Sequence, residues 1–198
     1  MEYTFWTITL HLMQEKTGMS VKDIPLDDEK VLSMLCDTGV AKMDDIPEFG
    51  SEFTRSIIAL AKPSTFEDLV KISAISHGTD VWDGNQKELV ETGQISLADC
   101  IGSGDDIMLY LMKGYLPMDR AYKIMEAVGK GKGLRRVFKM LMIGADVPEW
   151  FINVCEKTAC LCPKAHAISY TMLGVWSAYY KLYYSKEYEE TLTAMGEA

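Results

Sequence analysis

The sequence predicts an all-α fold, a compact assembly of about eight to ten helices. Three observations lead there. Apolar residues recur at three- and four-residue spacing in segment after segment, as in FTRSIIALA (53–61) and LRRVFKMLMIG (134–144). No stretch alternates apolar and polar residues between turn signals convincingly enough to read as a strand. Prolines and glycines fall where helices start and stop, at Gly18, Pro63, Pro117, Gly144, Pro148 and Pro163.

Taken in order, a first helix over 8–17 stops before Gly18. Asp27 or Asp28 can cap a helix through VLSML, because a carboxylate there accepts from the first unpaired N–H groups. FTRSIIALA stops before Pro63, which disfavours helical backbone in the residue ahead of it. Ser64-Thr65-Phe66-Glu67 has the capping-box pattern and opens FEDLVKISAI. SHGTDVWDGN, residues 76–85, is polar and contains glycine, so it reads as a loop or a pair of turns before a short helix in KELVET. Asp105 and Asp106 suit the first turn of DIMLYLMK, where acids favour the helix dipole. Pro117 fits the first turn of MDRAYKIMEAV, and GKGKG (129–133) ends that helix in a flexible basic loop. LRRVFKMLMIG follows, stopped by its glycine. Asp146 and Glu149 flank Pro148 in a second capping-box pattern ahead of EWFINVCEKTA. Pro163 starts the longest helix, through SYTMLGVWSAYYKLYY, and KEYEETLTAM completes the chain.

The 198 residues fit one domain spanning 1–198, with any internal break near 93–104, where Gly93, Gly102 and Gly104 cluster. A hydrophobic content of 48% is enough for a real core. No run approaches the roughly 18 apolar residues that a membrane span needs. The N-terminus, MEYTFWTITLHLM, lacks the basic start and apolar core of a secretory signal. Five cysteines, an odd number without framework spacing, suggest free thiols in a reducing cytoplasm.

A net charge of -9 argues against a protein that coats nucleic acid by bulk charge. Residues 113–139, however, hold eight basic and two acidic side chains, a local +6 against -15 elsewhere. That stretch reads either as a solvated helical face or as a local phosphate footprint.

PKAHAISY (163–170) is the most informative motif. Lys164 falls in the first turn of a helix whose positive dipole end favours an anion, and a lysine there can meet a phosphate as a point charge. His166 and Tyr170 lie four apart and share a face; an imidazole can donate to a phosphate or sugar oxygen, and a tyrosine ring can stack on a sugar or base. The same residues also suit a plain helix start with a satisfied histidine. SHGTDVW adds Ser76, His77 and Asp80, and GKGKG adds Lys130 and Lys132 on a backbone able to approach phosphates closely, although the spacing is not that of a P-loop. Cys155, Cys160, Cys162 and His166 would suit tetrahedral zinc, but C-x4-C-x-C-x3-H is not a common finger spacing, and buried free cysteines are the competing reading. The tyrosines of YYKLYY (179–184) read as helix contacts rather than a cofactor box.

Six segments in order resemble the C-terminal catalytic region of the PolC-type DNA polymerase III alpha subunit. They are IPEFGSEFTR (46–55), KPSTFEDLVKISAISHGTDVWDGN (62–85), DDIMLYL (105–111), AYKIMEAVGKGKGL (121–134), DVPEWFINVCEK (146–157) and PKAHAISY. The resemblance covers residues 20–190 or so and implies the helical fingers, which hold the incoming deoxynucleoside triphosphate over the templating base. It implies nucleotide-facing positions at Lys164, His166 and Tyr170, a neighbouring loop at Ser76, His77 and Asp80, and a phosphate-proximal loop at Lys130 and Lys132. Where this chain has Gly104, Gly129 and Trp176, that family usually has arginine. The family's Mg2+ ions are held by an Asp-x-Asp pair in the palm; this chain contains no Asp-x-Asp, so the sequence gives the chain no catalytic or cofactor residues of its own. The expected partners are a deoxynucleoside triphosphate, primer-template DNA and a palm-containing polymerase chain. The competing expectation is a non-enzymatic helical interaction protein that kept the fold and lost the nucleotide.

Overall fold

The computed structural model describes residues 2–37 and 43–196. Eleven α-helices form among them, and the only β-type pairing described is an isolated bridge between Thr79 and Cys160. The chain folds as two compact units, one made of Met1–Phe66 with Ser169–Ala198 and the other of Glu67–Ile168. Residues 93–104 lie inside the second.

The first unit contains α1 (Glu2–Thr17), α2 (Glu29–Cys36), α3 (Glu52–Ala61), most of α10 (Lys164–Tyr183) and α11 (Ser185–Gly196). α1 begins six residues before the start predicted from the sequence, because packing along α11 outweighs the weak helix propensity of its aromatic and β-branched residues. Asp28, not Asp27, caps α2, its carboxylate accepting from the Lys30 and Val31 N–H groups at 3.0 and 2.9 Å. Ser51 caps α3 by accepting from Thr54 N–H, and Lys62 ends it in a left-handed conformation before Pro63. The core gathers Met13, Val31, Leu35, Phe49, Ile57 and two tyrosines. Those tyrosines are the polar anchors: Tyr180 donates to the Met19 carbonyl at 2.6 Å and Tyr188 to that of Asp45 at 2.8 Å. Burial pushes both phenols above their ordinary pKa. Lys181 pairs with the Asp45 carboxylate.

The second unit contains α4 (Phe66–His77), α5 (Lys87–Glu91), α6 (Gly104–Met112), α7 (Met118–Gly129), α8 (Arg136–Gly144), α9 (Glu149–Lys157) and the first turn of α10. α6 lies along α7, and Leu69, Ile72, Ile75, Ile107 and Phe151 are buried in the core. Gly102 allows α4 to come close, since a Cβ there would sit 2.9 Å from that of Ala74. Lys71 on α4 reaches the Cys100 carbonyl at 2.8 Å and the Asp106 carboxylate at 2.5 Å. Asp106 closes the α6 capping box by accepting from Ser103. The second expected capping box does not form: α9 is capped by Pro148 without a side-chain hydrogen bond, and Asp146 takes a left-handed φ of 55° that turns the chain out of α8.

Candidate functional site

The sequence-predicted residues fall on three segments of the second unit, with one exception. Ser76 and His77 end α4, and Asp80 follows in a tight turn with φ of 55°. Lys130 and Lys132 lie in the loop after α7. Lys164 and His166 occupy the first turn of α10. Tyr170 lies further along the same helix, in the part belonging to the first unit.

The three segments meet on one short extended stretch of backbone around Ala159 and Cys160. Thr79 donates to the Cys160 carbonyl at 2.9 Å, and the Thr79 carbonyl accepts from Ala159 and Cys160 N–H at 3.1 and 3.2 Å. From the other loop, Gly131 comes so close that a Cβ would stand 2.8 Å from the Ala159 carbonyl oxygen. Gly131 also has φ of 67°, a left-handed backbone that glycine adopts without strain. Pro163 then turns the chain into α10, its carbonyl accepting from His166 N–H at 2.9 Å. Motifs separated by about 80 residues are thereby fixed to one piece of backbone, four residues from Lys164.

Buried amides hold the first loop in shape. Asn85 donates to the Asp80 carbonyl at 2.6 Å. Gln86 donates to the Val81 and Ile101 carbonyls, both at 2.9 Å, and accepts from Ile101 N–H at 2.6 Å. Lys157 caps the following turn by donating to Gly84. In the sequence this stretch reads as a polar loop, and its frame, Asn85 and Gln86, does not stand out. Their signal was two amides directly after a glycine turn, which is ambiguous without knowing that they are buried.

The side chains differ in readiness. His77, Asp80, Lys132 and His166 are exposed, whereas Lys164 is half-buried. The Ser76 hydroxyl donates to the Ser73 carbonyl of its own helix. Lys130 pairs with Glu126 one turn back at 2.7 Å; that hydrogen bond raises the lysine's pKa and lowers the carboxylate's. Of the three positions where the resemblance leads one to expect arginine, Gly129 has open space around it, Gly104 faces the flexible Met125 side chain, and Trp176 buries its indole N–H without a hydrogen-bond partner.

The zinc set is not assembled. Among the described residues no three His, Cys, Asp or Glu side chains are grouped to hold a metal ion. Cys155 is fully buried on α9, and burial drives its thiol far above the ordinary pKa, against the thiolate that zinc needs. Cys160 is exposed and Cys162 buried. No helix among the described residues is long and apolar enough to cross a membrane.

Residues 4–143 match the family of the bacterial DNA polymerase III alpha subunit finger domain. The chain is 42% identical over 193 residues to the PolC-type DNA polymerase III of Clostridium perfringens, covering 92% of this chain and 13% of that protein. It is 40% identical over 193 residues to the PolC-type DNA polymerase III of Staphylococcus aureus strain MW2, covering 90% of this chain and 13% of the relative. The chain therefore spans about an eighth of the length of the curated relatives it matches.

Proposed function

We propose a function from one premise: this chain belongs to the bacterial DNA polymerase III alpha subunit finger-domain family and is similar to the PolC type. The proposed function is that of a fingers module that holds an incoming deoxynucleoside triphosphate. The observation that carries it is the meeting of the 76–80 and 129–133 loops on Ala159–Cys160, beside the start of α10.

Each group then has a task. The N-terminus of the 20-residue α10 presents its positive dipole end, and Lys164 adds a point charge for a phosphate. His166 donates to a phosphate or sugar oxygen. Lys132 supplies a second exposed cation; Lys130 joins only by leaving Glu126. His77 and Asp80 border the ligand, and Ser76 shapes the helix end through its bond to Ser73. Mg2+ arrives with the triphosphate. Phosphoryl transfer needs two metal ions on clustered carboxylates, and this chain has no Asp-x-Asp to hold them. The chain alone is thus a binding module, and nucleotide incorporation onto primer-template DNA requires a palm-containing chain.

Titration with deoxynucleoside triphosphate and Mg2+, with and without primer-template, tests this reading. Saturable binding is expected, weakened about tenfold by Lys164→Ala, the scale of one lost charged phosphate contact. A second reading, a helical interaction protein without nucleotide, draws on the Lys130–Glu126 pair and on the absence of guanidinium groups at Gly104 and Gly129. Absence of any saturable binding at millimolar ligand would favour it.

A further inference from the structure

α8 is apolar on both sides. Phe138 and Met142 are buried, while Val137, Met140 and Ile143 are 64%, 59% and 49% exposed. Those three recur every third residue, so they form one outward stripe. A surface helix ordinarily turns polar residues to water, and neighbouring apolar side chains on its outward side mark a contact surface. The one lysine within the helix does not interrupt the stripe, because Lys139 is tied to Glu156 on α9 at 2.7 Å. A groove of about 420 Å3 adjoins the stripe at Ile143; Val147 and Ile152 line it with the polar Lys139, Asp146, Glu149 and Asn153.

The charge pattern identifies what covers it. Arg135 and Arg136 stand at the start of α8, and Asp146 and Glu149 follow its end, all exposed. Arg136 and Asp146 are opposite to what the α8 dipole favours, whereas Glu149 also lies in the first turn of α9, where an acid is favoured. Arg135 lies over the Phe138 ring at 4.6 Å, which leaves Arg136 as the outward cation. We propose that two copies of this chain associate through α8, antiparallel about a two-fold axis at Met140. That single operation places Met140 on its own copy, Val137 on Ile143, and Arg136 beside the acidic end of the other α8. Arg136 falls opposite Gly144, around which there is open space. An isologous contact of this kind closes on itself and leaves no chain-forming end.

The nine-residue helix is about 13 Å long, so the buried area lies at the low end for specific interfaces and the dimer is a reversible one.

Sedimentation velocity of the 198-residue chain over a wide concentration range is the test. A reversible monomer–dimer equilibrium is expected, with the dissociation constant raised about tenfold or more by Met140→Glu, which sets two carboxylates face to face on the axis. Thermal unfolding by circular dichroism checks that the variant stays folded. Met140→Cys provides the independent arm, made in a Cys160→Ser background that removes the exposed native thiol: under mild oxidation it forms a covalent dimer, while Leu109→Cys, equally exposed on α6, and the Cys160→Ser chain do not. A chain that stays monomeric at millimolar concentration would overturn the proposal. So would a dimer indifferent to Met140→Glu, or Met140→Cys and Leu109→Cys crosslinking equally.

Discussion

Gly174 lies in the middle of α10, where glycine ordinarily weakens a helix relative to alanine. Its reason is the neighbour: a Cβ would stand 2.6 Å from the Phe49 ring and 2.9 Å from the Pro47 carbonyl. Gly174→Ala is therefore expected to destabilise by about 1–3 kcal/mol, despite the better propensity of alanine, as overpacking does; urea unfolding measures it. Lys71 and Asp106 decide the acid response of the second unit. Burial by itself raises the Asp106 pKa, but the Lys71 charge and hydrogen bond, with N–H groups of Ser103 and Gly102, outweigh it and hold the carboxyl below its ordinary value. A lowered folded-state pKa contributes stability that is fully present above the unfolded value near 3.8 and is lost as pH falls through the folded value. Lys71→Met is expected to cost about 3 kcal/mol at neutral pH, since it leaves a carboxylate four-fifths buried without its cation. Below pH 4 the difference from wild type should shrink, and denaturant midpoints across pH 2–7 read both effects. The sequence narrows the α2 cap to Asp27 or Asp28 and places Asp105 and Asp106 in the first turn of α6, because acids near a helix start meet unpaired N–H groups; the choice of Asp28 and the Asp106 capping box come from the structure. The Gly174–Phe49 and Lys71–Asp106 contacts were not legible in the sequence, because their partners are far apart in the chain.

At the scale of elements, helix periodicity and breakers located nearly every helix, and boundaries failed where packing or turn geometry took over. α1 extends toward the N-terminus along α11, and Asp146 adopts a left-handed turn in place of a capping box. The candidate site followed the same division. Its motifs could be read singly from local sequence, and Lys164 and His166 do open a helix. What sequence could not supply is the Ala159–Cys160 stretch that draws the motifs together, because backbone pairing between residues 79 and 160 leaves no trace in composition. Gly131→Ala tests that junction. A methyl group 2.8 Å from the Ala159 carbonyl, on a left-handed backbone, should destabilise by about 1–3 kcal/mol. It should also weaken nucleotide binding while Gly129→Ala, in open space, does neither.

For the whole molecule, the all-α architecture and the family were both legible, the first from periodicity and the second from six ordered segments. The division into two compact units was not, because α10 runs without a break from one to the other and no linker composition marks the passage. The charge imbalance has a structural counterpart at this scale: the basic stretch 113–139 belongs entirely to the second unit, the one that carries the candidate site. A module of this kind should bind a nucleotide without extending a primer, and primer-extension assays of the chain alone with Mg2+ are expected to show no incorporation. The most direct test of the central claim is amide hydrogen exchange with and without deoxynucleoside triphosphate and Mg2+. Binding at the junction predicts joint protection of residues 76–80, 129–133 and 159–166, all weakened by Lys164→Ala. Saturating nucleotide with no protection there, or with protection confined to another part of the chain, would contradict it.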